Sequence, residues 1–140
     1  MGVVTLTNEA RGLLRECLLF RELEPEERNI LFAKVRVRSC AAGETIFLMG
    51  SAGDSLMAVL SGSVRISVPS PNGKEIVLAI IPPREVFGEI ALLDGKKRTT
   101  DARAIGACSL AILEHHDVLS FLKDHPKMWP KIVELTGTKA

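Results

Sequence analysis

The stretch FGEIALLDGKKRTT, residues 87–100, holds the residue types best suited to bind an anion. Gly88 lets a ligand approach the backbone closely, and a short helix beginning there exposes backbone N–H groups that attract negative charge. Arg98 follows after a turn and can donate two parallel hydrogen bonds to a phosphate. The hydroxyls of Thr99 and Thr100 add further donors. Together these groups predict a phosphate-binding segment.

Glu89 has the wrong charge for a phosphate, but an acidic side chain suits a sugar hydroxyl, as it does for ribose in dinucleotide-binding folds. A ligand in which a phosphate is rigidly joined to a ribose therefore accounts for Glu89 and Arg98 together. The alternative is that the two side chains form a structural ion pair, since a buried charge needs a partner. The residue types alone leave both interpretations open.

The elements that position this stretch are predicted from hydrophobic periodicity and turn residues. At Val35 the alternation of VRVRSC predicts a half-buried strand. From there to Glu114, short apolar runs separated by glycine and proline predict an all-β sandwich or barrel, with a hairpin tip at Asn72–Gly73. The further predicted strands are ETIFLM, SLMAVLS, SVRISV, EIVLAII, TDARAIG and CSLAILE.

Helices are predicted on both sides of the strands. Thr7 or Asn8 can cap a first helix, and Pro25 fits the first position of a second. After Glu114, the segment HHDVLSFLKDH has the apolar spacing of an amphipathic helix. A last helix is predicted to begin near Pro130. The apolar residues expected to favour self-association there are Met128, Trp129, Ile132, Val133 and Leu135.

The composition predicts one soluble domain. A length of 140 residues with 46% hydrophobic and 25% charged residues is sufficient for a single hydrophobic core. The net charge of +1 predicts no broad attraction to nucleic acid or to an anionic membrane. The longest apolar run, Ile76–Ile81, is too short to span a bilayer, and the N-terminus lacks a signal-peptide pattern. We therefore expect a cytoplasmic protein.

The residues that could support catalysis or metal binding are sparse. Cys17, Cys40 and Cys108 are far apart in the sequence and form no CxxC pair, so we expect no zinc or iron–sulfur site. We expect each cysteine to be a buried, inert thiol. No histidine precedes His115, so the β region has no ligand set for a metal-dependent cupin. No Ser–His or Cys–His pair is placed for nucleophilic catalysis. An enzyme is not expected.

The stretch at residues 87–100 resembles the phosphate-binding cassette of cyclic nucleotide-binding domains, FGE-(L/I)-AL-…-R-(T/S/A), and is called the cassette below. The similarity extends from about Leu18 to Leu135 and looks closest to the N-terminal sensor domain of Crp/Fnr-type bacterial transcription regulators. It implies a mainly β fold, a jelly-roll-like β-roll or double-stranded β-helix with flanking N- and C-terminal helices. The single domain, 1–140, then has helices over about 8–34, the roll over about 35–114 and a C-terminal helical segment over about 116–138.

The resemblance also implies roles for individual residues. Glu89 corresponds to the residue that binds the ribose 2′-hydroxyl, and Arg98 to the one that binds the cyclic phosphate. The predicted ligand-binding residues are Leu78, Gly88, Glu89, Ile90, Ala91, Arg98, Thr99 and Thr100, with Leu78 lining the base pocket. The chain departs from the family pattern at Lys97, where many members have proline, and at Arg84, where a turn glycine is usual.

The function implied is that of a cyclic nucleotide sensor, with cyclic AMP favoured as ligand, acting as the regulatory domain of a Crp/Fnr-type transcription regulator. No cofactor, metal or membrane contact is expected. A homodimer through the C-terminal helix is expected, and DNA contact only through a C-terminal domain absent from this chain. The alternatives are a ligand-free scaffold or dimerisation module with the same fold, and a free-standing sensor that acts through a partner protein.

Overall fold

A computed structural model describes residues 23–53, 55–87 and 97–130 of the chain. Within these ranges, strands dominate and helices lie on both sides of them, so the predicted mainly β architecture is confirmed. The elements are helix α1 (Pro25–Phe32), strands β1 (Arg36–Cys40), β2 (Thr45–Phe47), β3 (Ser55–Pro69), β4 (Glu75–Ile81), β5 (Val86–Phe87) and β6 (Asp101–Glu114), helix α2 (His115–Asp124), and a 3₁₀ turn (Pro126–Met128).

The strands pair in an antiparallel sheet whose main path runs β1-β6-β3-β4, with β2 also on β6 and β5 also on β3. Strands β3 and β6 form the central ladder, from the pair Ser55–Glu114 at one end to the pair Ser67–Asp101 at the other. This ladder brings the start of β6, immediately after the cassette, beside β3, which also pairs with β4 and β5.

Glycines inside the long strands correct one prediction. SLMAVLS and SVRISV, predicted as two strands, form the single strand β3, and TDARAIG and CSLAILE form β6. Gly62 has a φ of +74° at a register shift in the β3–β6 ladder, where a Cβ atom would lie 2.6 Å from the Cβ of Cys108. Gly106 has a φ of +65° within β6. Both glycines therefore permit β-bulges inside continuous strands rather than turns between strands.

The buried side chains of the described residues pack on the two faces of the sheet. Along the first half of β3, Leu56, Ala58 and Leu60 contact the cluster beneath the helices, whereas Met57 and Val59 belong to the cluster inside the roll. The alternation follows from the two-residue period of a strand. One segment of β3 therefore connects the helices to the interior of the roll.

The helices begin where their sequences predict, but Ile30 of α1, whose spacing predicts an apolar face shared with Leu31 and Phe32, is 46% exposed. In α1, Pro25 occupies the first turn, and the backbone N–H of Glu24 donates to the Glu27 carboxylate at 3.0 Å in a capping box. In α2, the predicted apolar face of Val118, Phe121 and Leu122 is buried. No helix within the described ranges is long and apolar enough to cross a membrane.

Several predictions lie outside the described residues. These are the first helix, the course of the last helix after Pro130, and the middle of the cassette, residues 88–96. Cys17 also lies outside them.

Candidate functional site

The backbone on both sides of Arg98 is hydrogen-bonded to the segment that follows β2. The backbone N–H of Arg98 donates to the Ser51 carbonyl, and the Gly50 N–H donates to the Arg98 carbonyl, each at 2.8 Å. Lys97 forms an isolated β-bridge with Ala52. Because these bonds connect two separate segments, they fix the position of the Arg98 Cα independently of the rest of the cassette.

The side chain of Arg98 is buried, with 5% of its surface exposed. Its Nη2 donates to the Ser55 carbonyl at 2.7 Å. Its Cζ lies 4.3 Å from the centroid of the Phe47 ring, in a cation–π arrangement. Burying a cation is costly unless hydrogen bonds and neighbouring polar or π groups replace water. The two contacts supply part of that replacement, one at Nη2 and one over the face of the Phe47 ring.

Phe47 also contacts the residue that begins the cassette. The rings of Phe47 and Phe87 are tilted at 35° to each other, with their centroids 6.2 Å apart. Phe87 is buried at the end of β5, opposite Met57 of β3. Phe87, the first residue of the cassette, and Arg98, near its C-terminal end, therefore contact the same aromatic ring. The predicted ligand residues Gly88, Glu89, Ile90 and Ala91 lie between these ends, outside the described residues.

The turn before the cassette is formed by Arg84 where the resemblance implies glycine. Arg84 has a φ of +76°, a left-handed conformation that glycine adopts at lower cost. The turn is hydrogen-bonded to β3: the Arg84 N–H donates to the Val59 carbonyl at 2.8 Å, and the Val59 N–H donates to the Glu85 carbonyl at 3.0 Å. The backbone conformation expected of glycine is therefore present with arginine at this position.

The remaining predicted ligand residues differ in exposure. Thr99 is exposed and Thr100 is half-buried, and both directly follow Arg98. Leu78 lies on another element, the edge strand β4, with 57% of its surface exposed. It belongs to a group of exposed apolar residues on that strand, Ile76, Val77, Leu78 and Ile80. Exposure on this scale leaves Leu78 accessible to a ligand or to another part of a protein.

Arg98 and Phe47 also line an open cavity of about 640 Å³, a size typical of small-molecule sites. Two further arginines line it, and both bond to protein groups. Arg36 forms an ion pair with Glu114, and Arg38 donates to Glu44 at 3.0 Å and to backbone carbonyls of β2. Since these arginines are engaged with the protein, their charge alone does not identify a second anion site.

Sequence reasoning missed Phe47 and Ser55 as neighbours of Arg98. Ser55 contributes its backbone carbonyl, which no side-chain motif reveals, and Phe47 reads as an ordinary apolar strand residue. Among the described residues, no group of three or more His, Cys, Asp or Glu side chains could hold a metal ion.

The chain matches the family model of the cyclic nucleotide-binding domain over residues 37–125. It is 35% identical over 108 residues to the cyclic AMP receptor protein of Thermus thermophilus, a match that covers 77% of this chain and 50% of that protein. Its fold is similar to the N-terminal domain of a transcriptional regulator from Streptomyces coelicolor A3(2), with a TM-score of 0.80, 31% identity, and coverage of 91% of this chain and 89% of that one.

A structure of the regulatory domain of Toxoplasma gondii PKA, crystallised with cAMP, is also similar, with a TM-score of 0.78 and 25% identity over 87% of this chain and 48% of that one. The chain spans about half the length of the curated relatives it matches. The family match and the solved structures confirm the resemblance and the jelly-roll-like fold that the cassette implied.

Proposed function

We propose that this chain, which belongs to the cyclic nucleotide-binding domain family, binds a cyclic nucleotide and acts as the sensor module of a Crp/Fnr-type transcription regulator. The observation that carries the proposal is the burial of Arg98 at the end of the cassette, with its guanidinium held by Ser55 and Phe47. Cyclic AMP is the favoured ligand, because one relative is named a cyclic AMP receptor protein and a similar structure was crystallised with cAMP.

Arg98 is proposed to bind the cyclic phosphate. A buried guanidinium has lost much of its hydration, and a charge-assisted hydrogen bond is stronger where water is excluded. The backbone bonds to Ser51 and Gly50 fix the position from which the side chain extends. The place at which an anion would meet the guanidinium is therefore defined by the fold.

The other roles are proposed from the cassette. Glu89 would accept a hydrogen bond from the ribose 2′-hydroxyl. The backbone amides of Gly88, Ile90 and Ala91 would complete the phosphate shell, joined by the hydroxyls of Thr99 and Thr100. Leu78 would contact the base from the exposed face of β4. Each group suits the part of the ligand assigned to it, since N–H and O–H groups donate to phosphate and a carboxylate accepts from a hydroxyl.

The module is proposed to regulate by binding alone, without catalysis or a cofactor, in the cytoplasm. The formal net charge of +1 gives the chain little capacity to neutralise DNA phosphates. Contact with DNA is therefore assigned to another domain of a longer regulator. A homodimer through the C-terminal helix is proposed, with Trp129, 39% of whose surface is exposed, at its beginning. Met128, expected on the same surface, is instead buried in the cluster beneath the helices.

Calorimetric titration with cyclic AMP and cyclic GMP tests the proposal. We expect saturable binding by the parent chain and a loss of about 100- to 1,000-fold in affinity for Arg98→Ala, because a charged phosphate contact is removed. Arg28→Ala is the matched control, since Arg28 donates to a backbone carbonyl next to α1 and lies outside the proposed site. No saturable heat with either nucleotide would instead support the ligand-free scaffold.

Glu89→Ala tests the ribose assignment separately. The parent should bind cyclic AMP more tightly than its 2′-deoxy analogue, and the variant should lose most of that preference. An unchanged preference would contradict the role assigned to Glu89 while leaving the Arg98 assignment in place.

A further inference from the structure

We infer that Phe47 is a positioning residue for Arg98: the Phe47 ring fixes the position from which the guanidinium meets the cyclic phosphate. The inference rests on the proposed function and adds a residue of β2 to a site otherwise drawn from the cassette and β4. Phe47 need not contact the ligand, because its contribution passes through Arg98.

The geometry leaves the guanidinium little freedom. The Ser55 carbonyl binds Nη2 at 2.7 Å and defines one edge of the planar group. The guanidinium carbon Cζ lies over the face of the Phe47 ring, 4.3 Å from its centroid. An unrestrained arginine side chain loses rotamer entropy when it binds, and a preorganised one loses less. Arg98 is therefore held near one orientation before a ligand arrives.

The position of Phe47 is in turn fixed by strand pairing. Phe47 lies opposite Ala102 in the β2–β6 ladder, and Ala102 is fully buried. The Phe47 ring also packs against Phe87, with 6.2 Å between centroids. The ring is thus supported by β6, through strand pairing, and by Phe87 of β5, and it contacts both Phe87 and Arg98 of the cassette.

An aliphatic side chain cannot replace these contacts. Leucine could fill much of the same volume, but it has no π face with the partial negative charge that attracts a cation. A buried guanidinium facing leucine would lose part of the stabilisation that replaces its hydration. We expect it to shift toward other partners and away from the orientation that suits the ligand.

Binding measurements on substituted chains test the inference. Phe47→Leu should weaken cyclic AMP binding by about 5- to 30-fold, the range for loss of a partly desolvated cation–π contact. Phe47→Tyr keeps the aromatic face and should bind close to the parent. Phe32→Leu is the matched control, because it also removes a phenyl ring from a core but in α1, beneath the helices. It should lower stability and leave the affinity unchanged.

A double-mutant cycle separates positioning from general damage. In an Arg98→Ala background, Phe47→Leu should have no further effect on affinity, since the group through which it acts is gone. Equal weakening in both backgrounds, parent-like binding by Phe47→Leu, or a Phe47→Tyr variant as weak as Phe47→Leu would each overturn the inference.

A readout without ligand distinguishes this inference from the proposed function. The guanidinium proton resonances of Arg98, assigned by their loss in Arg98→Lys, should be shifted by the ring current of Phe47 and return to ordinary positions in Phe47→Leu. If no ring-current shift exists in the parent, Phe47 does not hold Arg98. A shift together with no cyclic nucleotide binding would reject the proposed function, and with it the ligand part of the inference.

Discussion

Cys40 of β1 and Cys108 of β6 lie directly opposite each other in an antiparallel ladder, and both are buried as free thiols. Burial raises the pKa of the Cys40 thiol and raises that of Cys108 to about 11, with the neighbouring Cys40 as a further cause for Cys108. The guanidinium of Arg38 lowers both pKa values and offsets part of the effect. The predicted burial of these two thiols is confirmed, and the structure adds that they form a pair.

The raised pKa of Cys108 predicts a loss of stability at alkaline pH. The folded chain holds the thiol proton more tightly than the unfolded chain, so its contribution is fully present below the ordinary pKa of 9.0 and is lost as pH rises toward about 11. Urea midpoints across this range should fall, and Cys108→Ala should show a shallower fall. The chain contains no tyrosine, which removes one competing alkaline titration. Parallel falls for parent and variant would contradict the prediction.

Gly62→Ala should be one of the more damaging single-methyl additions in the chain. The new Cβ would lie 2.5 Å from the Ala107 carbonyl oxygen and 2.6 Å from the Cys108 Cβ, at a φ of +74°. Overpacking combined with a left-handed alanine should cost about 2–5 kcal/mol of unfolding free energy. Gly106→Ala is the control: φ is +65° there, nothing lies within 4 Å, and the cost should be about 1–2 kcal/mol. Equal costs in denaturant titrations would show that the close approach at Gly62 is relieved.

Glu75→Ala should destabilise the β3–β4 hairpin through the buried Ser67 hydroxyl. The Ser67 Oγ donates to one carboxylate oxygen of Glu75 at 2.8 Å, and Arg65 pairs with the other at 3.0 Å. Losing the acceptor for a fully buried donor should cost about 1–3 kcal/mol, and adding Ser67→Ala should restore part of it. Glu85→Ala, on the exposed turn before β5, serves as the control. Strictly additive costs for Glu75 and Ser67 would show that the two side chains are not coupled.

Arg84→Gly should be more stable than Arg84→Ala. A left-handed φ of +76° strains arginine but not glycine, although glycine also adds freedom to the unfolded chain. The unfolding free energy of the glycine variant should exceed that of the alanine variant by about 0.5–1 kcal/mol. Arg84→Ala removes the long side chain but keeps the Cβ, so comparing the two variants isolates the backbone effect. A glycine variant less stable than the alanine variant would show that the backbone is not strained at this turn.

The sequence pattern predicted the features that depend on residues close together in the chain. The spacing of Val118, Phe121 and Leu122 identified the buried face of α2, because neighbouring turns of one helix determine it. The glycine spacing predicts a strand boundary at Gly62, which is wrong because the role of this residue depends on the approach of Cys108 from another strand. Arg98 was identified from its spacing within the cassette. Phe47 was not, because only the β2–β6 pairing brings it against Arg98.

The β3–β6 ladder pairs residues that are far apart in the sequence, and this should affect the rate of folding. Ser67 pairs with Asp101 and Ser55 with Glu114, so the ladder encloses the whole intervening chain, including β4, β5 and the cassette. Bringing such distant residues together requires closing a long loop before its contacts are gained, whereas the β3–β4 hairpin can close locally. Refolding should therefore take on the order of milliseconds to seconds, the range for folds dominated by non-local strand pairing. The surroundings of Arg98, which join β2, β3 and the start of β6, should form only as this ladder closes.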